Sequence, residues 1–199
     1  MRRSILAPLA ALTLAGCVTA YQPMAVDPGT GHFPTQTTLD REAVLVREPF
    51  KPEYLNLVYV RRNPEKIDKY NDFFVTSFKN MHRFNQALGQ DEFQALVIRS
   101  YPAGDAPSVA DLVGLSTASK KLGPILAIDV DAGFLSKTTL DSFMGRPPPF
   151  FVELKATDVV TGRVVFDIRT QRYVGGASNI DETMLFPEMN AFIDWTNGR

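Results

Sequence analysis

The chain is nearly free of the residues that build metal sites and disulfides. Cys17 is its single cysteine, and His32 and His82 are its two histidines. With no second thiol, an intrachain disulfide framework is excluded, and so are the multi-cysteine sets that hold structural zinc. Neither histidine has a second metal ligand at the i, i+4 spacing of helix-borne sites. Positive charge is not in excess either: 21 Lys and Arg stand against 22 Asp and Glu, for a formal charge of −1. That balance argues against a nucleic-acid binder and against a polybasic membrane patch. No run reaches the ~18–20 apolar residues that a transmembrane helix needs. Phosphate-binding loops of the Walker and Gly-x-Gly-x-x-Gly types are missing. Gly114-Leu115-Ser116 is not a nucleophile elbow, because position 118 is alanine. The sequence therefore predicts a protein that is not an enzyme, with no catalytic residue, no metal and no cofactor.

What is present begins at the N-terminus. Met1-Arg2-Arg3 is a short positive segment, Ile5 to Leu14 is apolar with Pro8 inside it, and the small residues Ala15 and Gly16 precede Cys17. On the order of ten apolar residues cannot cross a ~30 Å hydrocarbon core as a helix, so the segment reads as an export signal. It resembles the bacterial lipoprotein signal, whose lipobox is matched at all four positions by Leu14-Ala15-Gly16-Cys17. The resemblance implies a signal peptide over residues 1–16, a diacylglycerol thioether on Cys17 and a further acyl chain, commonly palmitate, on its freed amine. Two or more chains anchor a protein stably where one does not. Val18 stands where inner-membrane-retained relatives carry aspartate. It implies an outer-membrane lipoprotein held by its lipid, with the domain facing the periplasm.

Apolar content of 45% and charged content of 22% suit one globular domain. Residues 17–52 are interrupted by Pro23, Pro28, Pro34, Pro49 and Pro52, with Gly29 and Gly31 between. They read as a lipidated tether with at most one short strand, either free or packed along the domain. The periplasmic globular domain is then 53–199.

Within it, Leu55–Val60 has the β-branched and aromatic content of a strand. Ile67, Tyr70, Phe74, Phe78, Met81, Phe84 and Leu88 recur at helical spacing, with Gly89 as the C-terminal cap. Phe93–Arg99 reads as a strand, and Ser108 to Asp111 as a capping box opening a helix that Gly123-Pro124 stops. Ile125 to Phe134 is a strand, and Phe150–Thr157 and Arg163–Tyr173 pair through the turn Asp158 to Gly162. Gly175-Gly176 ends the last strand. A final helix covers about Asp181–Thr196, with Pro187 at a first-turn position after a break. The expected class is α/β (α+β): a single mixed β-sheet covered by helices, in the order β-α-β-α-β-β-β-α, with the first three strands parallel.

Three places could carry binding chemistry. Asp129 and Asp131 alternate onto one face of a strand, as a pair that could take a cation or another ligand, or as hydrated carboxylates at a strand end. Phe143, Met144, Arg146, Pro147 and Pro148 form a stiff, apolar loop, either a partner-binding surface or a rigid connection sending its phenylalanines inward. Arg61-Arg62 ends the first strand, as an anion contact or a solvated end. The lipobox, the element order and the segment Asp158 to Phe166 together resemble envelope lipoproteins whose domains are similar to the N-terminal domain of the Tol translocation protein, among them lipoprotein activators of penicillin-binding proteins. That resemblance implies a non-catalytic adaptor or regulator of an envelope assembly machine that touches another envelope protein. The alternative is a lipoprotein that binds a small ligand, a cation or a glycan in the cleft at the ends of the parallel strands.

Overall fold

A computed structural model describes residues 25–35, 39–62, 71–173 and 182–199. The export signal, Cys17, Ile67, Tyr70 and Gly175-Gly176 lie outside the described residues.

The centre of the molecule is a sheet of six strands: β1 (Arg41–Arg47), β2 (Val58–Arg61), β3 (Ala87–Leu88), β4 (Leu126–Phe134), β5 (Pro149–Asp158) and β6 (Arg163–Tyr173). Its spatial order is β1-β6-β5-β4-β2-β3. β3, β2 and β4 run parallel, while β4, β5, β6 and β1 are antiparallel neighbours. The helices are α1 (Asn71–Asn80), α2 (Gln90–Ser100), α3 (Leu112–Leu122), α4 (Thr139–Phe143) and α5 (Phe186–Thr196). The α/β class, the single domain and the mixed, helix-covered sheet are as the sequence predicts.

Side-chain alternation sorts the sheet into two faces. Val58, Val60, Leu126, Ile128, Val152 and Leu154 face α1 and α5, where Phe74, Phe78, Phe192 and Trp195 complete the larger core. Tyr59, Ala127 and Ile125 face α2 and α3, packing on Phe93, Val97 and Leu115. This second cluster holds no side chain from β6 or β1. Charged residues occupy that part of the sheet instead.

Four segments differ from the expectation. The long helix stops at Asn80, because His82 takes a left-handed φ of 50° and turns the chain. Phe84 then folds back onto Phe78, ring centres 6.0 Å apart, so the apolar spacing continues although the helix does not. Gly89 does not cap that helix; it precedes α2, where Glu92 accepts its backbone N–H at 3.2 Å. Phe93–Arg99 is helical, not a strand. Phe93 and Val97, at i, i+4, are both fully buried, and Tyr59 stacks on Phe93 at 4.2 Å. The helix after Ser108 opens three residues later than expected, on Asp111, whose carboxylate accepts the N–H of Gly114 at 2.7 Å.

The segment read as a tether packs onto the domain wherever it is described. Phe33 is buried and stacks on Phe186 at 4.9 Å. Arg41–Arg47 is the edge strand of the sheet, antiparallel to β6, with a bulge between Val44 and Val46. It is the one short strand the sequence allows in this segment, and Pro34 and Pro49 flank it and leave its ladder intact.

Candidate functional site

Two surfaces gather the residues singled out above. The first lies at the carboxyl end of β2 and over the middle of β4. Here a cleft of about 510 Å³ is lined by Tyr59, Arg61 and Arg62 of β2 and its end, Asp129 and Asp131 of β4, Glu153 and Lys155 of β5, and Gln90 and Gln94 of α2. Parallel strands with helices on one side open such crevices at their carboxyl ends.

Asp129 and Asp131 do share a face, but not as two free carboxylates. Arg61 lies across from Asp129 in register and donates twice to it, Nε to Oδ1 at 2.6 Å and Nη2 to Oδ2 at 2.5 Å. Burial works against the Arg61 charge, and its hydrogen bonds to Asp129 outweigh that, raising the guanidinium above its ordinary value. The guanidinium thus neutralises the Asp129 carboxylate. Among the described residues no three His, Cys, Asp or Glu side chains group to hold a metal ion.

The ion pairs continue across the bare part of the sheet. Lys155 sits between Asp129 and Asp167 in register, and Glu153 between Asp131 and Arg169. Lys155 Nζ contacts Glu153 at 2.9 Å and Asp167 at 3.9 Å. Arg169 reaches Glu153 at 2.9 Å. Burial pushes Glu153 upward, but its bonds from Arg169 and Lys155 prevail and hold it below the usual carboxylate range. Asp167 is pushed up, chiefly by burial and then by the Glu153 charge. Opposite charges directly across neighbouring strands stabilise a sheet. This charged floor leads into a shallower groove of about 480 Å³ whose apolar lining includes Leu135, Phe151 and Ala43.

The second surface is the connection from β4 to β5. Leu140, Phe143 and Met144 fall at i, i+3 and i+4 of α4 and its end, and are 61%, 89% and 52% exposed. The polar side of the same turn points inward. Asp141 is buried, and its carboxylate accepts from the Thr138 amide at 3.1 Å, the Thr138 hydroxyl at 2.6 Å and the Tyr173 hydroxyl at 2.9 Å. The Thr138 hydroxyl returns the contact by accepting the Asp141 N–H at 3.0 Å. These bonds, Thr138 first and Tyr173 after it, hold Asp141 below the usual carboxylate range. Arg146 lies over the Tyr173 ring at 5.4 Å. Gly145, at φ 64°, closes the turn in a conformation that suits glycine. Pro147 and Pro148 are half-buried, so of the loop residues singled out, Phe143, Met144 and Arg146 form the outer surface.

Sequence reasoning did not find Glu153, Lys155, Gln90 or Gln94. The alternation of β5 puts Glu153 and Lys155 on the face of Asp129 and Asp131, and that signal was available. Gln90 and Gln94 follow only once α2 is known to be a helix.

No protein-family model matches the chain, and no curated protein matches it. Among solved structures it is similar to a PelC dodecamer from Paraburkholderia phytofirmans, at 13% identity over 80% of this chain and 99% of that one, with a TM-score of 0.43. It is also similar to the lipoprotein GNA1162 from Neisseria meningitidis, at 11% identity over 70% of this chain and 94% of that one, TM-score 0.37. A third similarity is to the LpoB C-terminal domain from Salmonella enterica, at 10% identity over 61% of this chain and 84% of that one, TM-score 0.33. At these scores and identities the likenesses carry no argument about function. No helix among the described residues is long and apolar enough to cross a membrane.

Proposed function

We propose that this protein is an envelope lipoprotein, exported by residues 1–16 and anchored by lipid on Cys17, whose domain serves as a non-catalytic adaptor for another envelope protein. The observation that carries the adaptor reading is the half-covered sheet. One face is closed by α1 and α5, while the other is closed only over β2, β3 and the first half of β4. The remainder presents a pre-paired charged floor beside the apolar lining of Leu135 and Phe151. Such a mixture of paired charge and apolar contact suits a protein interface. The lipobox Leu14 to Cys17 supplies the anchor.

Two measurements test the reading. The Cys17→Ser protein is expected to fold normally and to leave the membrane fraction; continued fractionation with membranes would overturn the anchor. A photo-crosslinking residue placed at Arg169, on the bare face, is expected to trap one discrete envelope protein in living cells. Absence of any trapped protein there, and from Gln171 beside it, would overturn the adaptor role.

A second reading has its own support in the cleft. Gln90, Gln94 and Asp131 converge there on a space large enough for a small polar ligand, such as a sugar. Thermal-shift screening with sugars and cations separates it, since a protein that none of them stabilises is not a binder of either.

A further inference from the structure

The adaptor reading is carried by the bare face of the sheet, and the exposed face of α4, a candidate partner-binding surface in the sequence, is a separate patch. Soluble domains place the apolar side of a helix inward; α4 does the reverse. Its polar side is spent on the Thr138, Asp141 and Tyr173 bonds, and Leu140, Phe143 and Met144 project outward. The turn is held rigidly in that pose. Met144 N donates to the Leu140 carbonyl at 2.9 Å, Arg146 N to the Asp141 carbonyl at 2.8 Å, and Leu135 N to the Pro149 carbonyl at 2.8 Å.

Within the connection that bears this knob, the exposed charges have one sign. Between Leu135 and Pro148 the ionisable residues are Lys137, Asp141 and Arg146. Both cations are exposed, and the lone acid is buried under Thr138 and Tyr173. An apolar centre with a basic rim matches the headgroup region of an anionic bilayer, where aromatic and aliphatic side chains enter the acyl boundary and Lys and Arg meet the lipid phosphates.

A bilayer is also close at hand. Val26 and Phe33 pack on the larger core, and only nine positions separate Cys17 from Val26. Nine residues at ~3.3–3.6 Å each reach about 30 Å at full stretch. The lipid therefore keeps the domain against the membrane and makes a second, protein-borne contact favourable at high effective concentration.

We infer that α4, through Leu140, Phe143 and Met144 with Lys137 and Arg146 at the rim, inserts into the surface of an anionic lipid bilayer and orients the domain upon it. The inference rests on the lipoprotein reading for the proximity of the membrane, but not for the chemistry of the knob.

The experiment uses the mature lipidated protein in vesicles of phosphatidylglycerol and phosphatidylethanolamine carrying brominated acyl chains. Trp195 is the single native tryptophan and is buried, so F143W adds one exposed reporter. V160W adds another, on the exposed turn at the opposite end of β5. Strong quenching of F143W with none of V160W is the expected result, and K137E is expected to lower it severalfold on the anionic vesicles. Equal quenching of the two reporters, or none of either, overturns the inference. Mass measurement of Cys17 keeps the two claims apart: a lipidated protein with an unquenched F143W sinks the insertion alone. The C17S chain, whose F143W reporter still responds to phosphatidylglycerol vesicles, sustains insertion without the lipid. A crosslinker at Phe143 that traps a protein while F143W stays unquenched makes the knob a protein-docking surface and overturns the bilayer as its occupant.

Discussion

Trp195 donates its indole N–H to the backbone carbonyl of Glu48 at 2.6 Å, tying the last helix to the segment that leaves the edge strand. Around this bond Phe166 stacks on the indole at 4.9 Å and Phe50 meets it edge-on at 5.0 Å. The segment that follows the edge strand is thus fastened to the last helix at this side chain. Trp195→Phe keeps most of the apolar contact and leaves the Glu48 carbonyl without its donor. Urea unfolding is expected to show a loss of about 1–3 kcal/mol, and an unchanged midpoint would show the bond to be dispensable.

Arg172 and Glu188 form a buried ion pair between β6 and α5, with Thr170 also donating to Glu188 and Arg172 to the Met184 carbonyl. Burial pushes the Glu188 carboxyl up, against the pull of Arg172. Removing one partner strands the other. Arg172→Ala is expected to cost about 3–5 kcal/mol, whereas the double change Arg172→Met with Glu188→Leu is expected to cost far less or to stabilise. Calorimetry on the wild type and the two variants decides it; a double variant that loses as much as Arg172→Ala, or more, would overturn the stranded-charge account.

Gly114 in the first turn of α3 has no room for a side chain. A Cβ there would lie 1.5 Å from the Ser108 carbonyl oxygen. Gly114→Ala would improve helix propensity, yet it is expected to destabilise by about 1–3 kcal/mol because backbone must move. A rise in melting temperature would contradict this packing.

Asp141 gives the α4 turn a pH dependence. Its folded-state pKa is lowered by Thr138 and Tyr173, so its contribution is complete above the ordinary carboxylate pKa. That contribution fades as pH falls through the lower folded value. Tyr173→Phe removes one of the bonds, and amide exchange across 138–146 should then quicken at neutral pH and respond less to acid. Exchange rates indifferent to both changes would count against the turn being held by this carboxylate.

The parts of the fold legible in the sequence are those whose pattern and partner are adjacent. The β5–β6 hairpin declares itself through Asp158 to Gly162, where Asp158 accepts the Val160 N–H at 2.9 Å. The run from Leu126 announces a buried strand. Pro187 marks the opening of α5. Misreadings arose where two elements share one apolar spacing. Phe84 continues the rhythm of α1 after His82 has ended it. Phe93–Arg99 is too short for periodicity to separate a buried helix from a strand. β1 is the one short strand the sequence allows in the 17–52 segment, and its bounds stay unread because an edge strand exposes nearly all of its side chains and shows no alternation. In the cleft, the shared face of Asp129 and Asp131 was readable. Its meaning was not, because Arg61, the residue that changes it, is 68 positions from Asp129 and meets it only through strand pairing.

The bulge between Val44 and Val46 takes on weight at a membrane surface. Anchored molecules are confined to two dimensions, where neighbours collide far more often than in free solution. β1 is the open edge of the sheet and carries the exposed Val44 and Leu45. A flat edge of that composition would recruit the same edge of the next molecule, strand by strand. The extra residue twists the edge and breaks its hydrogen-bond spacing. On the crowded surface proposed for this protein, that distortion works against strand-by-strand growth.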